Sequence, residues 1–430
     1  MICGMYSLDG HLTEPREMEE RTVTPIIVIT NTFPFEGEQF LRTELELVDK
    51  DIPITLWTFL HPKQECDPLL HRETIKMLVF CKKKLKKNSK IKAAVSSVTN
   101  LSRYKEVEAV IGKRGKLRNL IKAVKFGYIS ELRVIQIADW VRKTYGNDPE
   151  VIFYSYWMYE AAYVSARLKI TFPKCKFVTR CHRFDLYESQ HANGYLPYRH
   201  FILNNADIVF PISDDARNYL NKLYNNKYDH KLEVARIGSI CDFGAVEAEK
   251  SEKCIIVSCS NLIPVKRVNL IAAALKNIDF EIEWYHFGDG ETRNEVETIT
   301  KKFPDNVHAH LMGFTPNHDI QKFYSSHDIT ALINVSSSEG VPVSIMEAQS
   351  YGIPVIATDV GGTSEIVIDQ VNGILLNEDF EADALISAIK STIAQKEVFC
   401  KNALKTWSEK SNQRSLVKNF YLRLTKLGEQ

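Results

Sequence analysis

Two carboxylates, Glu339 and Glu347, bracket the segment Ser338-Glu339-Gly340-Val341-Pro342-Val343-Ser344-Ile345-Met346-Glu347, which follows a buried-looking apolar run and opens a helix. Pro342 suits the first helical turn, where its missing N–H and fixed φ cost nothing. The free N–H groups of Val343 and Ser344, backed by the positive end of the helix dipole, then point at an anion such as a diphosphate. Glu347 lies about five residues inside the helix, roughly 7.5 Å along its axis, so two carboxylates flank one anion site. A carboxylate set back from a phosphate-binding turn is placed to hold ribose hydroxyls. Upstream, Ser258 to Arg267 runs strand, loop and helix start, and Lys266 offers a compact positive charge to a phosphate. Two glycine-bearing turns, His286-Phe287-Gly288-Asp289-Gly290 and Asp359-Val360-Gly361-Gly362-Thr363-Ser364-Glu365, also follow strand-like runs. Alone, each is more often a tight turn than a ligand loop, and a lone Glu or Lys is more often a solvated helix end. Their order and shared strand-edge placement favour a site.

The elements that must hold these residues are legible as alternating patterns. Apolar, β-branched runs at Ile26–Thr30, Ile54–Leu60, Val151–Trp157, Phe177–Cys181 and Ile208–Ser213 are separated by helical periodicity. A second series follows at Cys254–Cys259, Ile282–Phe287, Val307–Met312, Ile329–Val335, Pro354–Thr358 and Gly373–Leu376. The alternation predicts an α/β chain of two Rossmann-like, doubly wound parallel-sheet domains facing a cleft. The expected boundaries are a polar extension over 1–24, a first domain over 25–238, a linker over 239–249, a second domain over 250–406 and a C-terminal helix over 407–430.

With 430 residues, 44% hydrophobic and 25% charged, the chain is neither a disordered nor a fibrous sequence. Nine scattered cysteines without a CxxC pair read as reduced thiols. The first 24 residues lack the basic start and apolar stretch of a secretory signal, Met18 is a possible alternative start, and no window offers about 18 uninterrupted apolar residues. A cytoplasmic location is therefore expected. The formal net charge of +1 conceals an asymmetry: Lys82 to Lys125 holds fifteen Lys or Arg against Glu106 and Glu108, a local +13, and the remainder is −12. Ile91, Ala94, Val95, Val98 and Leu101, then Leu117, Leu120, Ile121 and Val124, recur there at helical spacing, predicting two cationic amphipathic helices. Their apolar stripes either pack on their own domain or dock on an anionic membrane surface. No nucleic-acid-binding motif accompanies the tract.

The combination of Glu339 and Glu347 with Gly352-Ile353-Pro354-Val355-Ile356-Ala357 and the Gly361–Glu365 turn resembles the retaining family 4 glycosyltransferases, also called group 1, of the GT-B fold. The resemblance is strongest from about Ile255 to Leu376. It implies that Glu347 binds the donor ribose, that Glu339 contacts the transferred sugar or its reactive centre, and that Lys266 binds the donor diphosphate, with Gly340, Val341, Val343 and Ser344 in the donor-binding turn. Asn261 stands where the family usually has an arginine, and Arg267 is a candidate substitute. Pro342 replaces a common glycine.

In the first half, Arg180-Cys181-His182-Arg183-Phe184-Asp185 resembles the family's His-containing strand end, where His182 would act on the sugar side. Gly37 and Glu38, in a loop after the first strand, and Asp185 and Glu365 are further sugar or acceptor contacts. The resemblance implies metal-independent transfer without a cofactor, from a uridine diphosphate sugar first and a guanosine diphosphate sugar second. The hydroxyl acceptor would be a glycan or lipid-linked glycan of surface polysaccharide assembly, at the inner membrane face. Two other readings stay open: a noncatalytic transferase-like partner or chaperone, favoured only by Asn261, and a GT-B nucleotide-sugar epimerase.

Overall fold

The computed structural model describes residues 23–33, 40–60, 74–81, 85–111, 113, 115–244 and 253–429. The first half runs β1 (Ile26–Thr30), α1 (Phe40–Leu47), β2 (Ile54–Thr58), β3 (Ile75–Val79), α2 (Lys87–Arg103), α3 (Glu106–Ile111), α4 (Lys116–Tyr145), β4 (Ile152–Ser155), α5 (Glu160–Thr171), β5 (Lys176–Cys181), α6 (Arg199–Asn205), β6 (Ile208–Pro211) and α7 (Asp214–Leu223). Its six strands pair in parallel in the order β3-β2-β1-β4-β5-β6. β1 shows why a strand buried on both faces reads as a continuous apolar run. Ile26 and Val28 pack with Leu41 and Leu45 on one side, while Ile27 and Ile29 meet Val134, Ile137 and Val141 of α4 on the other. β3 escapes the sequence pattern because its apolar run is interrupted, with Lys76 exposed and Met77 to Val79 only half-buried.

The second half runs β7 (Cys254–Cys259), α8 (Val268–Leu275), β8 (Ile282–Phe287), α9 (Arg293–Thr300), β9 (Val307–Gly313), α10 (Asn317–Ser326), β10 (Ala331–Asn334), α11 (Val343–Ser350), β11 (Val355–Thr358), β12 (Gly373–Leu376), α12 (Ala382–Ala394), α13 (Lys396–Lys410) and α14 (Gln413–Gly428). The sheet is parallel in the order β12-β11-β10-β7-β8-β9. In each sheet the winding reverses once, between β1 and β4 and between β7 and β10. Open α/β sheets bind ligands beyond the carboxyl ends of the strands at such reversals.

The segment from Trp407, expected as one helix, is divided. α13 ends at Lys410, and Asn412 caps α14 by accepting from the Arg414 and Ser415 amides. α14 then crosses to the first domain, where Val417, Phe420, Tyr421 and Leu424 join the β1 core. The outward crossing lies beside it: Ser239 N–H donates to Ser411 O, and Gln413 N–H donates back to Ser239 O. Two adjacent crossings thus connect the domains.

Candidate functional site

The loop after β10 is fixed from three directions. Asn334 Oδ1 accepts from the Ser336 amide and hydroxyl, and Ser337 N–H donates to Val265 O at 2.9 Å. On the far side Gly362 N–H donates to Gly340 O at 2.7 Å. Gly361 has φ +55°, and a Cβ there would stand 2.1 Å from the Glu339 carbonyl oxygen. The glycine pair is therefore the packing surface of the Glu339 loop. A similar demand applies at Gly288, φ +138°, where a Cβ would meet Ser260 O at 1.9 Å, so this turn presses on the loop after β7.

Within this frame Glu339 Oε1 accepts from Lys266 Nζ at 2.6 Å and from Asn334 Nδ2 at 3.3 Å. Lys266 and Glu339 come from the two strands that flank the reversal in the second sheet. Helix α11 begins one residue later than expected: Pro342 is its N-cap, and the Ile345 and Met346 amides reach back to Pro342 O. The amides of Val343 and Ser344 precede those bonds and have no partner among the described residues. Val341 is buried behind them. Glu347, half-buried one turn on, accepts from Asn317 Nδ2 at 2.7 Å. Burial lifts its carboxyl to about 7, with Asp242 adding and the Asn317 bond opposing.

Three expectations for charged residues change. Arg267 is partly committed: its Nε donates to Val335 O at 2.7 Å, Nη1 to Glu378 O at 2.7 Å and Nη2 to Ser336 O at 3.2 Å. A guanidinium has five N–H donors in one plane, and three carbonyls fix that plane here. Glu365 is already engaged: Oε1 accepts from the Asp215 amide and Oε2 from Arg236 Nη2, each at 2.8 Å, so it latches the second domain to the start of α7. Asp185 is fully buried and accepts from the Met158 and His182 amides, so it shapes the strand end. Asn261 is exposed at the carboxyl end of β7. Gly37 and Glu38 lie outside the described residues.

His182, at the carboxyl end of β5, is 7% exposed and packed against Tyr156 and Trp157, with ring centroids at 4.8 and 4.3 Å. Neither ring nitrogen has a hydrogen-bond partner. Its neighbour Arg183 reaches across to the second domain, donating from Nη2 to Ser338 Oγ at 2.9 Å, and a Cβ on Gly340 would be 3.8 Å from its own Cβ. The sequence contains this guanidinium but nothing local points it at the Glu339 loop. At the first sheet's reversal, a cavity of about 210 Å³ is lined by Asn31, Thr32, Trp157, Tyr159, Phe184 and Asp185. A cavity of about 650 Å³ bordered by Ile170, Asn204 and Asn205 sits instead at the edge where β5 and β6 begin, away from the cleft. Among the described residues no three His, Cys, Asp or Glu side chains cluster as metal ligands, and no helix is long and apolar enough to cross a membrane.

Residues 243–414 match the family model of glycosyl transferases group 1. Over 213 residues the chain is 25% identical to WcaL of Escherichia coli K12, assigned as a colanic acid biosynthesis glycosyltransferase, covering 47% of this chain and 52% of that protein. Over 118 residues it is 34% identical to the uncharacterized glycosyltransferase MJ1178 of Methanocaldococcus jannaschii, covering 27% of this chain and 32% of that protein. The chain thus spans about half or less of these curated relatives. Among solved structures it superposes on the lipopolysaccharide outer core galactosyltransferase WaaB with TM-score 0.65 at 14% identity, covering 94% of this chain and 99% of that one. Anabaena HepE in complex with UDP gives 0.65 at 15% identity, covering 94% and 100%. The second half of the chain therefore carries a glycosyl transferases group 1 domain over residues 243–414, set in two tandem α/β domains of GT-B architecture.

Proposed function

We propose that this chain is a metal-independent, retaining glycosyltransferase that moves a sugar from a nucleoside-diphosphate sugar, a uridine diphosphate sugar first, to a hydroxyl of a glycan or lipid-linked glycan in surface polysaccharide synthesis. The observation that carries this is the cluster of Lys266, Glu339 and the free α11 amides at one sheet reversal, met by Arg183 from the other domain. HepE with UDP and with UDP-glucose on the same fold supports the donor class, and WcaL and the O-antigen biosynthesis glycosyltransferase WbnH support the product class.

In the reaction the bond from the anomeric carbon to the diphosphate breaks, a bond to the acceptor oxygen forms, and the acceptor proton leaves with the diphosphate. Lys266 has three N–H donors, so it can keep Glu339 and still meet a phosphate oxygen. Arg183 supplies a second cation where Asn261 provides none. Together with the Val343 and Ser344 amides they are preorganised for charge growing on the leaving group. Glu347 accepts from the ribose hydroxyls, and His182, with neither ring nitrogen hydrogen-bonded among the described residues, faces the sugar from the first domain.

UDP raises the melting temperature of the chain by linkage, more than GDP, in a nucleotide thermal-shift screen. Hydrolysis of a UDP-sugar without acceptor is measurable in wild type and falls to background in Glu347→Ala; equal background in both would favour the noncatalytic reading. An epimer formed without acceptor would favour the epimerase.

The raised Glu347 carboxyl also sets a pH dependence. Below about 7 it holds a proton that must leave before two ribose hydroxyls can donate to it. UDP affinity therefore falls as pH drops below 7, approaching about tenfold per unit, and is flat above. Titration calorimetry across this range checks it, and Glu347→Gln removes the slope.

A further inference from the structure

Helix α2 turns only part of its apolar stripe inward, unlike an ordinary amphipathic helix. Its buried face is Ala93, Ser97, Asn100 and Leu101, with Asn100 Nδ2 donating to Glu131 and to the Tyr163 hydroxyl. Ile91, Val95 and Val98, at i, i+4 and i+7, face water and are 54 to 58% exposed. The first turns of α4 are divided likewise, with Leu117 and Ile121 exposed at 72 and 60% while Leu120 and Val124 pack on the core. Six of the eighteen large apolar residues exposed among the described residues fall between Ile91 and Ile121.

The same surface is cationic. Lys87, Lys92, Lys116, Arg118 and Lys125 are exposed and form no ion pair among the described residues. Of the tract's two acids, Glu106 is 2% exposed and turned inward, accepting from the Tyr195 hydroxyl and the Tyr198 amide. Glu108 is the one acid left outside.

Position gives the surface a use. Ser97 lies against Gly127 and Asn100 bonds Glu131, so α2 and α4 run in the same direction, bringing Ile91 level with Ile121. α4 ends just before β4 begins, and its 30 residues span about 45 Å. A five-residue strand covers only about 17 Å, so the first turns of α4 project past the carboxyl ends of the strands, on the cleft side. There Lys122 Nζ donates to Tyr195 O at 3.0 Å and Gly115 abuts Asn193. The neighbouring His191 packs on Tyr159 and Phe184, two walls of the 210 Å³ cavity.

We infer that α2 and the first turns of α4 form a docking face for an anionic phospholipid bilayer, holding a membrane-borne acceptor beside the cavity at Asn31 and Trp157. Apolar side chains enter the acyl boundary while the surrounding cations meet lipid phosphates. A second copy is the poorer occupant, because a twofold contact would set this cationic face against itself. That the face holds an acceptor rests on the transferase reading; the docking itself is tested apart from it, since vesicle binding is measured without donor or turnover.

The full chain will co-sediment with vesicles of phosphatidylcholine and phosphatidylglycerol, not with phosphatidylcholine alone, and high salt will release it. Each near-surface cation is worth about fivefold in partition, so removing three, in Lys87→Ala/Lys92→Ala/Lys116→Ala, lowers binding on the order of 100-fold. Ile91→Gln/Val95→Gln/Val98→Gln, in side chains outside the core, lowers binding with melting temperature and UDP-sugar hydrolysis unchanged. Absence of wild-type binding to the anionic vesicles overturns the inference, as does wild-type binding by the glutamine variant. A dimer in sedimentation velocity that this variant dissociates, with no vesicle binding by either protein, assigns the face to a second copy instead.

Discussion

Lys266→Ala will lower the turnover of sugar transfer by about 100- to 1000-fold with little loss of melting temperature. A preorganised group aimed at developing charge in a partly dry site is worth about 2.7 to 4 kcal/mol when removed. Lys266 meets that description: it is half-buried, its ammonium is held 2.6 Å from Glu339, and the turn carrying it is clamped by the Ser337 to Val265 bond. Arg267 does not swing into the vacated place, because three backbone carbonyls hold its guanidinium where it is. Arg183→Ala will show a smaller loss in the same assay. The double variant will fall short of the product of the two single losses, because both cations act on one leaving group. Turnover of the alanine variant at Lys266 within a few-fold of wild type, on a donor the protein uses, would remove this residue from the chemistry.

Gly361→Ala will reduce both stability and transfer, for a reason that lies in the backbone. The residue sits at φ +55°, where an alanine costs about 1 to 2 kcal/mol, and its methyl carbon would stand 2.1 Å from the Glu339 carbonyl oxygen. Relieving that contact adds about 1 to 3 kcal/mol of overpacking strain. The expected fall in melting temperature is on the order of 5 to 15 °C. Because the relief moves the loop that carries Glu339 and Ser338, turnover falls further than loss of folded protein explains. Circular dichroism melts and transfer rates normalised to folded protein separate the two effects. Gly194→Ala serves as the control: it shares a positive φ, +59°, but its nearest neighbours are 4.0 Å away.

Much of this architecture is local in origin. Eleven of the twelve strands follow from apolar runs because parallel strands buried on both faces leave a continuous signal. β3 is lost because exposed Lys76 and half-buried Met77 to Val79 break that signal. The break at Ser411 was hidden inside a helical pattern that continues on both sides, and only the return of α14 to the first domain requires it. At the site, Lys266, Glu339 and Glu347 were readable from type and strand-edge placement. Arg183 was not, since its partner Ser338 is 155 residues away.

The sequence by itself determined the alternation of strands and helices, the carboxylates and lysine at the strand edges, and the +13 tract hidden beneath a net charge of +1. The tertiary structure decided which charges are available and which are already bonded. Arg267 and Glu365 are held by carbonyls and by the opposite domain, while Arg183 is brought to the Glu339 loop. It also decided that Ile91, Val95 and Val98 of α2 face outward while Leu101 packs inward. The physical reason is common to both: periodicity marks one face of a helix as apolar and composition marks a residue as charged. The partner that buries the face or neutralises the charge comes from chain distant in sequence.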